Sequence, residues 1–466
     1  VRLGVVLLSL LGLACLIGML IMQQNVDGFA NYFQTLTPAQ RLVYGKLGFF
    51  DIYHAWYFNV LLAVLSLNII LASIDRFPKT WALVNKPPLT VPVRWLLEQT
   101  SSERVAFTAD KEEVAAGVES AMKGMGWRKP VQTEKNGLLY IFAQSGAWNR
   151  LGAYAVHVAL LTIFFGGFLT AQFGSNGNLP LAPGQSSNLI SETVVNLEKV
   201  NQITKQLPFE ITFTDIQQRL IKKEGSISAS NTLDWITRFT IKDETGVHEG
   251  SVQMNRPFDY RGYRFFQASF IPVGRARNIT VRLRPDDGDA AQDLVIDRNG
   301  TTTLANGTKV RFSEFRGNFR IGPEDPNEDT SAYPNPAAIL QVTRPGSAPQ
   351  TAYAFGPQMA NIPVAGKPVA GYTYQLLDFE KVSDQHVLSA QRDPGATVVY
   401  VGFTMLFITL VAVFFFSHQR VWAVVEKDPN NGTQVVIGGD SNRNRNAFAD
   451  KIDRLKTTVR KNLDVS

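Results

Sequence analysis

Four stretches of this 466-residue chain contain no Asp, Glu, Lys or Arg and reach the roughly 20 apolar residues that a helix needs to cross a bilayer. They are residues 3–22, 55–74, 151–171 and 397–416, and each reads as a transmembrane helix. After the first comes Gln23-Gln24-Asn25, with no small-residue cleavage site, so this run reads as a retained helix and not a removed signal peptide. The chain opens with Val1-Arg2 directly at that helix, and further residues are expected ahead of it.

Charge counted segment by segment sets the expected orientation. Loop 23–54 holds Arg41 and Lys46 against Asp27 and Asp51. Segment 75–150 holds 11 basic and 8 acidic residues, with Arg76, Lys79 and Arg150 beside the apolar runs. Segment 417–466 holds 9 and 6, whereas the long segment 172–396 holds 23 and 24. Lys and Arg near helix ends mark the cytoplasmic side. Both termini and segment 75–150 are therefore expected in the cytoplasm, with 172–396 outside. The net charge of +6 serves orientation and is too dilute for a nucleic-acid reader.

The soluble pieces differ in pattern. In 75–150, RVAFTA (104–109) and GLLYIFAQ (137–144) read as strands around a helix at 111–127. That is a small cytoplasmic α+β module. Segment 172–396 is rich in short runs with β-branched or aromatic alternation, such as ITRFTIKD and NITVRLRP. Turn residues punctuate it at intervals of roughly 10–15 residues, the pattern of a sandwich or barrel. Residues 321–336 read as a mobile Pro- and Asp-rich loop, 417–466 as a cytoplasmic tail, and its part beyond 427 as a polar, partly disordered appendage with a short helix at 446–463. The fold class is an α-helical membrane protein with four transmembrane helices, a large extracytoplasmic all-β domain (sandwich- or barrel-like) and a small cytoplasmic α+β module.

Five histidines can be weighed one by one. His157 lies about 10 Å inside the third apolar run at 1.5 Å per residue. An ionisable group at that depth points to function: a haem axial ligand, a proton-relay member, or a neutral ring hydrogen-bonded to another helix. His54, in Asp51-Ile52-Tyr53-His54-Ala55-Trp56, sits at the opposite membrane edge among interfacial aromatics. The two therefore cannot share one iron. His418 lies just past the fourth run and reads as a head-group contact, while His248 reads as a turn residue and His386 as exposed. Any trans ligand to an iron on His157 is then expected from another protein.

Other chemistries are thinly represented. One cysteine, Cys15, excludes a disulfide framework and Cys-based zinc or iron–sulfur sites within these residues. Walker, dinucleotide-binding and G-x-S-x-G motifs are missing. Asp286, Asp287 and Asp289 read as a solvated turn.

GFFDIYHAWYFNVLLAVLSLNIILASIDRFPK (48–79), GAYAVHVALLTIFFGG (152–167), NRPFDYRGYRFFQASF (255–270), QRDPGATVVYVGF (391–403) and SHQRVWAVV (417–425) resemble, in order, segments of the ResB family of cytochrome c biogenesis proteins. The resemblance spans nearly the whole chain. It implies one half of the two-protein cytochrome c synthetase of System II, in the bacterial cytoplasmic (inner) membrane, which exports haem b and attaches it to apocytochrome c. The partner (ResC, also called CcsA) carries a Trp-rich haem-binding segment. Here the seven Trp are scattered, so this chain is not expected to perform the ligation alone. By the same resemblance His157 is the membrane haem ligand, with His54 and His418 as lesser candidates, and Asp393-Pro394-Gly395 is the motif ahead of the last helix. Those three residues also suit a plain helix-starting turn. With Cys15 inside a membrane helix, thiol reduction falls to thioredoxin-like proteins. The competing expectation is a membrane-anchored structural or sensory protein whose outer β domain binds a ligand.

Overall fold

The computed structural model describes residues 2–464 except 27, 100, 128, 197–198, 323–328, 360–361, 363 and 428–431. Residues 323–328, the middle of the expected mobile loop, thus lie outside the described residues. Nine α-helices occur among the described residues: α1 (Arg2–Leu20), α2 (Phe29–Thr35), α3 (Pro38–Leu47), α4 (Trp56–Asn85), α5 (Val93–Leu97), α6 (Lys111–Gly124), α7 (Gly152–Phe173), α8 (Ala396–Phe415) and α9 (Arg445–Asp464). Of these, α1, α4, α7 and α8 are long and apolar enough to cross a membrane by length and composition. The chain divides into two compact units, one of residues 1–16, 53–172 and 394–466, the other of residues 17–52 and 173–393.

In the first unit, α4 continues 11 residues past the apolar run that ends at Ile74, through Arg76, Pro78 and Lys79. Helices α7 and α8 meet along small residues. Gly152, Ala159 and Gly166 are the buried positions of α7, and their spacing of seven keeps them on one face. A Cβ at Gly166 would come 2.9 Å from Val399 N, and one at Gly402 2.9 Å from Ile163 N, so only glycine permits this approach.

The α+β module of this unit is larger than its sequence suggests. Its five-stranded sheet runs, in spatial order, Glu103–Phe107, Thr433–Ser441, Gln419–Lys427, Leu138–Ser145 and Val131–Lys135. Helices α6 and α9 cover one face through Val118, Met122, Ile452 and Leu455. Residues 89–97 cover the other, with Leu96 against Phe142 and Trp422. The expected partly disordered appendage beyond residue 427 is thereby corrected: Thr433–Ser441 is a strand of this sheet, and the helix expected at 446–463 is present as Arg445–Asp464. The reason is that Val435 and Ile437 of Thr433–Ser441 feed one core while Val436 feeds the other, as Val421 and Trp422 do in the neighbouring central strand. A strand buried on both faces shows no alternation, and polar stretches flank this one.

The second unit is a large all-β region built from two sheets. The eight-stranded sheet has the order Gly246–Val252, Thr232–Asp243, Lys199–Leu220, Ser186–Asn196, Ser175–Leu181, Gln385–Arg392, Tyr263–Ile271, Phe258–Tyr260. It curls into a barrel-like form, because Gln267 near one edge donates to Trp235 O at 3.3 Å and Val252 O at 3.1 Å near the other. Ile211, Phe213, Phe239, Phe265 and Leu388 fill its interior. The seven-stranded sheet runs Gln292–Asp297, Arg275–Pro285, Tyr372–Val382, Gln350–Phe355, Ala337–Thr343, Lys309–Arg316, Thr301–Thr303 around Ile279, Val281, Phe312 and Leu340. Arg277 ties the two sheets, bonding Asp215 at 2.9 Å and Glu380 at 2.9 Å. Helices α2 and α3 belong to this unit, where Phe29, Phe33 and Phe50 pack with Val195. Helix α3 starts on a capping box between Thr37 and Gln40 and ends at Gly48, whose φ is 70°.

Candidate functional site

Two pairs of polar side chains join the apolar helices α4 and α7 across one seam. Helices α4 and α7 run antiparallel, with the Thr80 and Tyr154 hydroxyls 2.9 Å apart and Ser73 Oγ 2.8 Å from His157 Nδ1. Phe77, between Ser73 and Thr80 in sequence, sets its ring edge-on to Tyr154 at 5.3 Å. His157 is two residues from Ala159 in sequence, roughly 200° around the helix, so it faces α4 while the small residues face α8.

Ser73 also decides which nitrogen of His157 is free. Its hydroxyl donates to Ile69 O at 2.7 Å, the usual bond of a helical serine to the preceding turn. With the single hydroxyl hydrogen on Ile69 O, the ring donates from Nδ1 and Ser73 Oγ accepts. The Nε2 lone pair is then available. That is the tautomer of a histidine metal ligand, whose second nitrogen is held by an outer partner. The residue is half-buried.

The other candidates are placed differently. His54 closes a short 3-10 turn ahead of α4, with its side chain exposed and its carbonyl accepting from Asn59 at 3.3 Å. Nineteen residues of helix separate it from Ser73, about 28 Å at 1.5 Å per residue, so His54 and His157 do not meet. His418 is buried in the α+β module, 1% exposed, which corrects the expected head-group contact. Arg150 Nε donates to its Nδ1 at 3.0 Å, and its Nε2 donates to Gln144 Oε1 at 3.0 Å. Neither ring nitrogen is left for iron. Burial, and then the Arg150 charge, pushes its pKa down to about 4. His386, expected to be exposed, is fully buried inside the barrel-like sheet. Thr237 Oγ1 lies 2.7 Å from its Nδ1, and burial pushes its pKa down to about 3. It is one inward residue of a strand too short to declare its register. Gly395 is the N-cap of α8, and a Cβ there would overlap Gly166 O and Thr170 Oγ1. The glycine of Asp393-Pro394-Gly395 thus has a packing role at the α7–α8 crossing.

Comparison with known sequences now decides the lineage. The profile of the ResB-like family matches residues 1–453. The chain belongs to the ResB-like family. Among curated relatives, it is 25% identical to the cytochrome c biogenesis protein CcsB of Synechococcus sp. (strain CC9605), over 98% of this chain and 94% of that protein. It is 22% identical to the cytochrome c biogenesis protein Ccs1 of Rhodomonas salina, over 97% of this chain and 94% of that one. The cytochrome c biogenesis protein ResB of Bacillus subtilis (strain 168) is 21% identical, over 86% of this chain and 74% of its own length.

Within this ResB-like chain the seam can do one thing well: offer a neutral, oriented imidazole at the side of a membrane helix. A lone imidazole suits one axial position of a haem iron. The residues present fit that role and supply a single ligand. The sequence exposes His157 because one His in an apolar run stands out. It does not expose Ser73, since serine is common in membrane helices and its only signal is one turn of spacing to other polar residues.

Proposed function

We propose that this chain is the membrane subunit of a cytochrome c synthetase: it helps move haem across the cytoplasmic membrane and present it for covalent attachment to apocytochrome c. The observation that carries the reading is the His157–Ser73 pair, which holds Nε2 deprotonated at a half-buried membrane position. In support stands the role printed in the names of the relatives, cytochrome c biogenesis, over nearly the whole chain.

In this account the α+β module and both described ends face the cytoplasm and the β region faces outward. His157 receives the haem as an axial ligand, and Ser73 keeps its ring in one orientation. The imidazole supplies the iron with the ligand bond that an apolar slot alone cannot. With His54 distant and His418 fully engaged, the trans ligand comes from a ResC/CcsA-type partner, which ties haem passage to assembly of the two proteins. The β region docks apocytochrome c, and thioredoxin-like proteins keep its thiols reduced. The test is haem staining of denatured cytochrome c in cells whose only copy of this chain is His157→Ala. Covalent haem is expected to fall steeply and to recover in part with added imidazole. Undiminished staining would overturn the assignment.

A further inference from the structure

Helix α4 changes character at one point. Its apolar run ends at Ile74, and Asp75 and Arg76 follow at once. Arg76 is exposed and makes no hydrogen bond or ion pair with a described residue, although its charge reaches the His157 ring. Position fixes which way it faces. At 100° per residue, Arg76 lies within about 60° of the Ser73–Thr80 line that meets α7, whereas Lys79 lies roughly 120° from Ser73. So the face that carries the histidine's partner also carries an unpaired guanidinium where the apolar stretch stops.

Haem b is a flat apolar macrocycle with its iron at the centre and two carboxylates along one edge. A membrane helix that holds the iron needs a cation toward the boundary, since a carboxylate left alone in the apolar layer is costly. Guanidinium is the side chain suited to it, because its planar fork pairs with a carboxylate through two parallel bonds. We propose that Arg76 binds a carboxylate of the haem whose iron His157 receives. The assignment rests on the haem reading of His157 and adds to it the end of the molecule that faces the cytoplasmic boundary. Arg76 thereby fixes which edge of the haem enters last.

The experiment is a Soret titration of the purified full chain in detergent with haem and with haem dimethyl ester, which lacks both carboxylates. In Arg76→Gln, affinity for haem is expected to fall about tenfold or more, the worth of a charge-assisted bond, while affinity for the ester stays at the wild-type value. Arg76→Lys, which keeps a cation at the boundary, is expected to recover part of the preference for haem. Lys79→Gln removes the same charge from the same membrane edge and is expected to change neither affinity. A loss that falls equally on both porphyrins in Arg76→Gln and Arg76→Lys, no loss at all, or the same loss in Lys79→Gln overturns the Arg76 assignment. His157→Ala weakens both porphyrins if the underlying reading holds, and unchanged binding there overturns both.

Discussion

At the scale of single residues, the chemistry depends on which hydrogen goes where. Ser73 spends its proton on Ile69 O and so turns the Nε2 lone pair of His157 outward. Ser73→Ala removes that acceptor, and outer partners of metal-ligating histidines typically matter by tenfold or more in affinity. Haem titration of Ser73→Ala is expected to show a loss of about tenfold, and an unaltered affinity would contradict the tautomer. The two buried histidines away from the membrane give a pH signature. Unfolded, each ring takes up a proton near 6.5; folded, His418 does so only near 4 and His386 near 3. Between those values the unfolded chain binds more protons. Stability is therefore complete above pH 6.5 and falls as pH drops toward 4, by up to about 1.4 kcal/mol per unit for each ring. Thermal unfolding at pH 7 and pH 5 should show a lower Tm at pH 5, and a flat profile would mean that these rings are not buried neutral. Sequence alone flagged His157 because its setting is uniformly apolar. It misjudged His418 and His386 because their settings are made by strands distant in sequence, Gln144 and Thr237 lying 274 and 149 positions away.

At the scale of elements, the four apolar helices were legible because uncharged runs of this length have few alternative fates. Their contacts were not. The α7–α8 seam is written as Gly152, Ala159, Gly166, Gly395 and Gly402; in sequence Gly152 and Gly166 permit close approach by a neighbour but do not say that the neighbour is α8. Gly395→Ala places a methyl group against Gly166 O and is expected to cost about 1–3 kcal/mol, as overpacking does. Protease resistance of the detergent-solubilised chain should drop accordingly, and wild-type resistance would show that α8 does not approach α7 this closely. Many of the β strands were readable from alternation, among them those at 232–243 and 275–285. Ser175–Leu181, Ser186–Asn196 and Gln350–Phe355 were not: Asn, Ser and Gly dominate the first, Ser and Asn interrupt the second, the third is short, and their pairing comes from neighbours in the sheet. The strand Gln419–Lys427 was hidden by its position, directly after an apolar helix and ahead of a charged stretch.

At the scale of the whole molecule, the chain passes between its two units four times, so folding must bring segments far apart in sequence into one α+β module. Strand Glu103–Phe107 pairs with Thr433–Ser441 across more than 300 residues, and a chain interrupted by a large β region must close that gap late. The charge distribution predicts that the module and the β region lie on opposite sides of the membrane. With Cys15 replaced by Ser, a cysteine at Ser347→Cys should react with an impermeant maleimide in intact cells, and one at Asp450→Cys only after permeabilisation. Equal labelling of both would contradict the orientation. The central claim is that His157 is an axial ligand of haem in passage, and the Soret spectrum of the chain purified with its membrane partner tests it most directly. The account predicts a haem band that is lost in His157→Ala and returns when imidazole is added; a band of undiminished intensity and unchanged position in that variant would contradict it.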